Sequence, residues 1–267
     1  MHLTRKSVIS SAISDGVLTK RTHRMCRILN GIDQRISITP ASGLIDFLKG
    51  MEVTNEQYRR SGIVKEKRSI FLYNEGLLNP ESTLFLARKG QDILGTLSVI
   101  ANHNNRLPCS KLFREEMAAL QLEKRKVVEL GTLSVRYQAD SENIVFKLYL
   151  KIMIYTIFIE QVDDIFIQVK EKVAAFYERN FLFKQVGGTK KHPDYSDLNA
   201  TLLRVDVKSI RDKIYEQQCY GPMGWLRMLR ELGLLQHYRT LSQQCHSCPR
   251  FTPDQRDAEL YQYLCNL

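Results

Sequence analysis

A chain of 267 residues with 43% hydrophobic and 25% charged side chains has an ordinary globular composition, long enough for one domain of about 200 residues with an appendage. The formal net charge is +10, but residues 1–30 alone carry six basic side chains against one acidic, so the body is only mildly basic; with no aromatic–basic platform in it, nucleic acid is not an expected partner. No long apolar run opens the chain, and the most apolar stretch, Ile144 to Ile159, is broken by Lys147 and Lys151 and falls short of the about 20 residues of a bilayer span, which argues against a secretory leader and a spanning helix.

In chain order, residues 1–34 read as a basic, flexible tail. A solvated tail is the plainest reading, beside peripheral contact with an anionic membrane or an acidic protein. "RISIT" (35–39) is a short strand. Gly43 to Arg60 has helical spacing, with Leu44, Phe47, Leu48 and Met51 on one side. "TLFLARKGQDILGTLSVIA" reads as a hairpin turning at "RKGQD". Pro108 opens a helix to about Leu122. "KVVELGTLSV" (126–135) is a strand whose Gly131 suits a bulge or a close backbone approach. A helix over 141–161 follows, then the strand "DIFIQVK", a short helix over 171–180, and a last pair of strands, "LFKQVGG" and "NATLLRVDV". The order predicts an α+β fold, a mixed central sheet flanked by helices over residues 35–207. Residues 208–267 add a helical extension, in which Leu226, Met228, Leu229, Leu232 and Leu235 form a stripe that packs on the body.

Two residues stand out chemically. Glu129 lies in an otherwise apolar strand, where a lone buried carboxylate costs several kcal/mol, so it must reach a cation, solvent or a ligand pocket. Tyr177 brings a hydroxyl to an apolar helix, and that hydroxyl needs a partner.

The element order, closing on "AAFYERNFLFKQVGG", resembles the GNAT acyltransferase fold, with Val169, Phe176-Tyr177, Leu182-Phe183 and Gly187-Gly188 at the family's positions. Three further stretches, "EQYRRSGIV" (56–64), "NPESTLFLARKGQDILGTLSV" (79–99) and "RLPCSKLFREEMAALQLEKRKVVEL" (106–130), are similar to the long-chain N-acyl amino acid synthases of the FeeM type, relatives of the acyl-homoserine-lactone synthases. The resemblance implies transfer of an acyl group from a thioester to an amine. It makes Tyr177 the general acid for the departing thiolate and Glu129 the base for the incoming ammonium. The backbone of Leu133, Ser134 and Val135 would bind the thioester and its oxyanion, and Arg136 a donor phosphate. No metal is implied.

Three departures qualify this. Gly131 and Thr132 replace the Ser and the basic residue of the family's strand, Val173 stands where the family shows His, and "RYQADSENI" lacks the glycines that cradle a coenzyme A pyrophosphate. The last favours an acyl carrier protein over coenzyme A as the donor's carrier, with a small amine such as an amino acid as acceptor. A short-chain acyl-CoA enzyme and a catalytically silent module that binds an acyl carrier or partner protein are the alternatives. Cys245 and Cys248 form one Cys-x-x-Cys pair with His246 between them, near Cys219, Cys265 and His237 in sequence; one knuckle is short of a zinc site, so free thiols are the default. Six cysteines without a leader fit a cytoplasmic setting.

Overall fold

Short apolar strands alternating with amphipathic helices build one mixed sheet in the computed structural model of the chain. It describes residues 35–64, 69–103, 107–137, 141–193, 195, 198–216, 226, 229–230, 233–247 and 250–267. The tail, residues 1–34, lies outside them, as do Cys219, Met228, Leu232 and Cys248. The elements are β1 (Ile36–Pro40), α1 (Leu44–Arg60), β2 (Thr83–Lys89), β3 (Asp92–Ala101), α2 (Cys109–Leu112), α3 (Arg114–Ala119), β4 (Val127–Val135), α4 (Ser141–Ile154), β5 (Asp164–Lys170), α5 (Glu171–Phe181), β6 (Lys184–Lys191), β7 (Asn199–Asp206), α6 (Val207–Glu216), α7 (Leu235–Ser247) and α8 (Gln255–Asn266). A π-helical turn, Tyr155–Ile159, prolongs α4. The seven strands run in the order β1-β2-β3-β4-β5-β7-β6. β4 and β5 pair in parallel and the other neighbours are antiparallel.

The hairpin turns through Gly90, whose φ of 61° is the left-handed conformation a tight turn requires. The helix expected from Pro108 to Leu122 is instead two short helices broken at Phe113. Phe113 is fully buried with Leu107, Val127 and Phe166 against the sheet, and packing that ring overrides helical continuity.

Each face of the sheet is covered. On one, Val128, Leu130, Ile165 and Ile167 pack on Ile144, Leu148 and Ile152 of α4 and on Phe181 of α5. On the other, Leu84, Leu86 and Ile100 meet Phe47 and Met51 of α1, while Val127 and Phe166 meet the α2–α3 region. The C-terminal extension contributes to both faces. Leu241 of α7 joins the α4 side and Tyr261 of α8 the α1 side. Between them Phe251 N–H donates to the Ala41 carbonyl at 2.8 Å, just past the end of β1, so the extension wraps the free edge strand. A capping box of Asp254 and Asp257 starts α8, and the Tyr261 hydroxyl donates to the Leu72 carbonyl. At the N-terminal end of β5, the buried Asp164 accepts from Arg125 and from Arg204 Nε at 2.7 Å.

Candidate functional site

β4 and β5 pair from Val127/Asp164 only as far as Leu130/Ile167. β4 nevertheless runs on to Val135 and β5 to Lys170, so the two strands fork. The cause is a bulge in β4. Between the pairs Ser98↔Gly131 and Thr96↔Ser134, β3 holds one residue and β4 holds two. Thr132 carries the left-handed backbone, with φ 46°, which for a β-branched residue stores about 1–3 kcal/mol. The distortion expected at Gly131 therefore falls one residue later. Gly131 stays paired, and a Cβ on it would come within 3.3 Å of Ser98 Oγ. A buried chain of hydroxyls pins the bulge: Thr96 Oγ1 donates to the Thr132 carbonyl (2.8 Å) and lies 2.7 Å from Ser134 Oγ and 2.8 Å from Thr54 Oγ1 of α1.

The extra residue also flips the strand's faces. Before the bulge, Val128 and Leu130 face α4; after it, Leu133 and Val135 do. Arg136 N–H donates to Leu94 of β3 at 2.8 Å. Amides alternate along a strand, so the N–H of Val135, and of Leu133 two residues back, point to the side β5 has left. Along that edge lies a cavity of about 330 Å³ lined by Gln57, Tyr58, Ser61, Ile63, Leu133, Ser134, Val135 and Val145. Three of these are the backbone positions anticipated for the thioester. Gln57 is buried and its Nε2 has no hydrogen-bond partner among the described residues. Of α4, Val145 reaches the cavity; Ile144, Leu148 and Ile152 pack in the core.

Glu129 is 3% exposed. It sits one pleat inside the fork, on the face covered by α1 and α2. Its Oε2 accepts from the Cys109 N–H at 2.7 Å and its Oε1 from Gln168 Nε2 at 2.8 Å. No salt bridge reaches it among the described residues. Burial pushes its carboxyl above the ordinary range, and the bonds from Gln168 and Cys109 oppose that without cancelling it. Gln168 is the first β5 residue past the last paired one, so it stands at the crotch of the fork and holds Glu129 there. Cys109 is fully buried, and burial with the neighbouring Glu129 raises its thiol well above the usual value; such a thiol is no nucleophile.

Tyr177 lies on the other face. It is buried in an aromatic cluster, with ring centroids 5.2 Å from Tyr149, 5.3 Å from Phe176 and 6.2 Å from Phe183. Burial raises its phenol and a hydrogen bond with Tyr149 partly offsets the rise. The two hydroxyls share that bond, and either can be its donor. Tyr58, a wall of the cavity, interacts electrostatically with Tyr177, and its own phenol is held high by burial. Glu129 and Tyr177 thus lie on opposite faces of the sheet, and neither is among the residues that line the cavity.

Arg136 follows β4 directly, but its guanidinium pairs with Glu56 of α1 at 3.3 Å. Among the described residues Cys109, Cys245 and Cys265 form no disulfide, and no three His, Cys, Asp or Glu side chains gather as metal ligands. No helix of the described residues is long and apolar enough to cross a membrane. Sequence reasoning did not single out Gln57, Tyr58, Tyr149 or Gln168. Tyr58 did stand inside the quoted "EQYRRSGIV", whereas nothing in the spacing marks Gln57 or Tyr149 as different from core residues.

Residues 51–206 match the family model of the N-acyl amino acid synthase FeeM. Among solved structures, FeeM, an N-acyl amino acid synthase from uncultured soil microbes, superposes with a TM-score of 0.58 at 18% identity, over 67% of this chain and 93% of that one. The AHL synthase LasI is a fainter likeness (TM-score 0.46, 9% identity, 64% of this chain and 89% of that one). So is MesI, a CoA-dependent acyl-homoserine lactone synthase (TM-score 0.44, 17% identity, 67% and 90%). No curated protein matches the chain in sequence. The expected GNAT-like acyltransferase topology, with its central mixed sheet, is the one observed. Because the family model runs from α1 to the end of β7 and spans more than half of the chain, the chain belongs to the N-acyl amino acid synthase FeeM family of acyltransferases.

Proposed function

We propose that the chain moves a long fatty acyl group from an acyl carrier protein thioester to the amine of an amino acid. The observation that carries this reading is the fork, whose β4 edge offers free amides to a 330 Å³ cavity while a buried carboxylate and a buried phenol stand on its two faces. Glu129 takes a proton from the acceptor's ammonium; its raised pKa brings it closer to the working pH than an exposed carboxylate. The neutral amine attacks the thioester carbonyl, a C–N bond forms, and the developing oxyanion accepts from the Leu133 or Val135 N–H. The C–S bond breaks, the thiolate takes the Tyr177 proton, and the second proton shed by the acylated nitrogen restores the phenol. Opposite faces suit this chemistry, because nucleophile and leaving group then meet the carbonyl from different sides.

Two features support the carrier protein as donor. The segment after β4 has no glycine, and Arg136 is engaged by Glu56. A pyrophosphate therefore finds no backbone cradle, whereas the single phosphodiester of a carrier-bound arm needs less. Ile63, Leu133, Val135 and Val145 give the cavity the apolar wall an alkyl chain requires. Described cysteines that form no disulfide fit a cytoplasmic setting.

The test compares kcat/KM for one fatty acyl chain on the carrier protein and on coenzyme A. The account expects the carrier thioester to be favoured by at least about tenfold, 1.4 kcal/mol. Equal values refute the donor argument. Tight carrier binding with no transfer from either donor returns the silent binding module.

A further inference from the structure

Along β5 the residues on the α1 face are Phe166, Gln168 and Lys170, because strand side chains alternate and Phe166 packs with Val127 on that side. Gln168 holds Glu129. Lys170 is the next residue on the same face, about 7 Å along the strand. Its ammonium reaches across the mouth of the fork to the Ser61 carbonyl at 3.4 Å, and Ser61 lines the cavity. That contact is long for a hydrogen bond and leaves the ammonium's other protons unused. Among the described residues no carboxylate pairs with Lys170. Burial holds its pKa down, and its charged neighbour, the second cation Lys172, adds to that. The residues that line the cavity carry no charge of their own.

We infer that Lys170 binds the carboxylate of the acceptor, so that the site takes amines bearing an α-carboxylate in preference to simple amines. The inference rests on the proposed acyl transfer and places the acceptor within it. The inference puts the acceptor's nitrogen at Glu129 and its carboxylate toward Lys170, which lies on the same face one pleat beyond Gln168. An uncompensated cation beside a neutral cavity attracts an anion, and a charge-assisted hydrogen bond is worth about 1.5–3 kcal/mol. A donor phosphate is the other anion to weigh. It is disfavoured because Lys170 lies on the face of the proposed base, whereas Tyr177 lies on the other.

Initial rates with phenylalanine and with phenethylamine, which differ only in the carboxylate, test the idea. The parent is expected to prefer phenylalanine by about 10- to 100-fold in kcat/KM, the fold-change of that bond. In Lys170→Met the preference falls to near unity through a raised KM for phenylalanine, and Lys170→Arg retains most of it. Calorimetry of both compounds with parent and Lys170→Met, in the presence of the carrier protein with its free thiol, reads the same preference without turnover. If no N-acyl product forms but calorimetry shows a Lys170-dependent preference, the proposed activity fails and the acceptor site stands. A parent with no preference in either readout, a preference that persists in Lys170→Met, or a loss confined to affinity for phosphopantetheine overturns the inference.

Discussion

Replacing Glu129 by glutamine isolates the carboxylate's charge at nearly constant shape. The side chain keeps an acceptor oxygen for one of its two donors, Cys109 N–H or Gln168 Nε2, and turns an amide N–H₂ on the other. One buried donor then faces a donor, which costs about 1–3 kcal/mol. An opposing term comes from titration. Burial holds the folded-state carboxyl above its unfolded value, so Glu129 favours the fold most below the ordinary carboxylate range, and that contribution is lost as pH rises through the raised value. At neutral pH the parent therefore bears the cost of a buried charge that the amide lacks. The two terms oppose each other, and the variant is expected to melt within a few degrees of the parent. Turnover behaves differently. Loss of a general base lowers kcat/KM by about 10²–10⁴-fold, or about 3–5 kcal/mol at 1.36 kcal/mol per decade. The parent's rate should fall as pH drops through the raised carboxyl pKa, and that acidic limb should vanish in the variant. Steady-state rates across pH with a saturating donor, beside calorimetric melting, make the measurement. A folded Glu129→Gln variant within threefold of parent turnover, with the acidic limb intact, refutes the base.

Tyr177→Phe removes the proton proposed for the departing thiolate and the hydrogen bond with Tyr149. It is expected to lower kcat by about 10²-fold and stability by about 1 kcal/mol; unchanged kcat at equal donor affinity sinks the general acid. Gly95 of β3 lies where an added Cβ would stand 2.7 Å from the Ser134 carbonyl oxygen. Gly95→Ala must move the strand that walls the cavity, at about 1–3 kcal/mol. It should lower Tm by several degrees and raise the donor KM together, and an unshifted Tm contradicts the close approach.

Much of this molecule was legible from residues alone, because the signals were local. Strand and helix order followed apolar periodicity, and Glu129 announced itself as a charge within β4. The misses share one cause, competition between local preference and packing. Phe113 breaks a helix that its neighbours would continue, because its ring fills the gap between α2 and the sheet. Thr132, a residue type that avoids left-handed backbone, adopts it because Thr96, Ser134 and Thr54 hold the bulge from across the sheet. That bulge reverses which residues of β4 face α4, so the strand's alternation could not be read through it. The cavity's other wall, Gln57 and Tyr58, comes from α1, roughly 75 residues away in sequence; such pairing is a tertiary fact without a local signature. The wrapping of β1 by the extension depends likewise on Phe251 and Tyr261 reaching elements near the start of the sheet.

The central claim is acyl transfer at the fork between β4 and β5, and the direct test is its product. The full chain is incubated with a fatty acyl carrier protein thioester and a mixture of amino acids, and both N-acyl products and released carrier thiol are quantified by mass spectrometry. The account predicts N-acyl amino acids formed in one-to-one proportion with free carrier thiol, lost in Glu129→Gln and Tyr177→Phe. Absence of any N-acyl product from carrier or coenzyme A thioesters, with the chain folded and the donor bound, contradicts it.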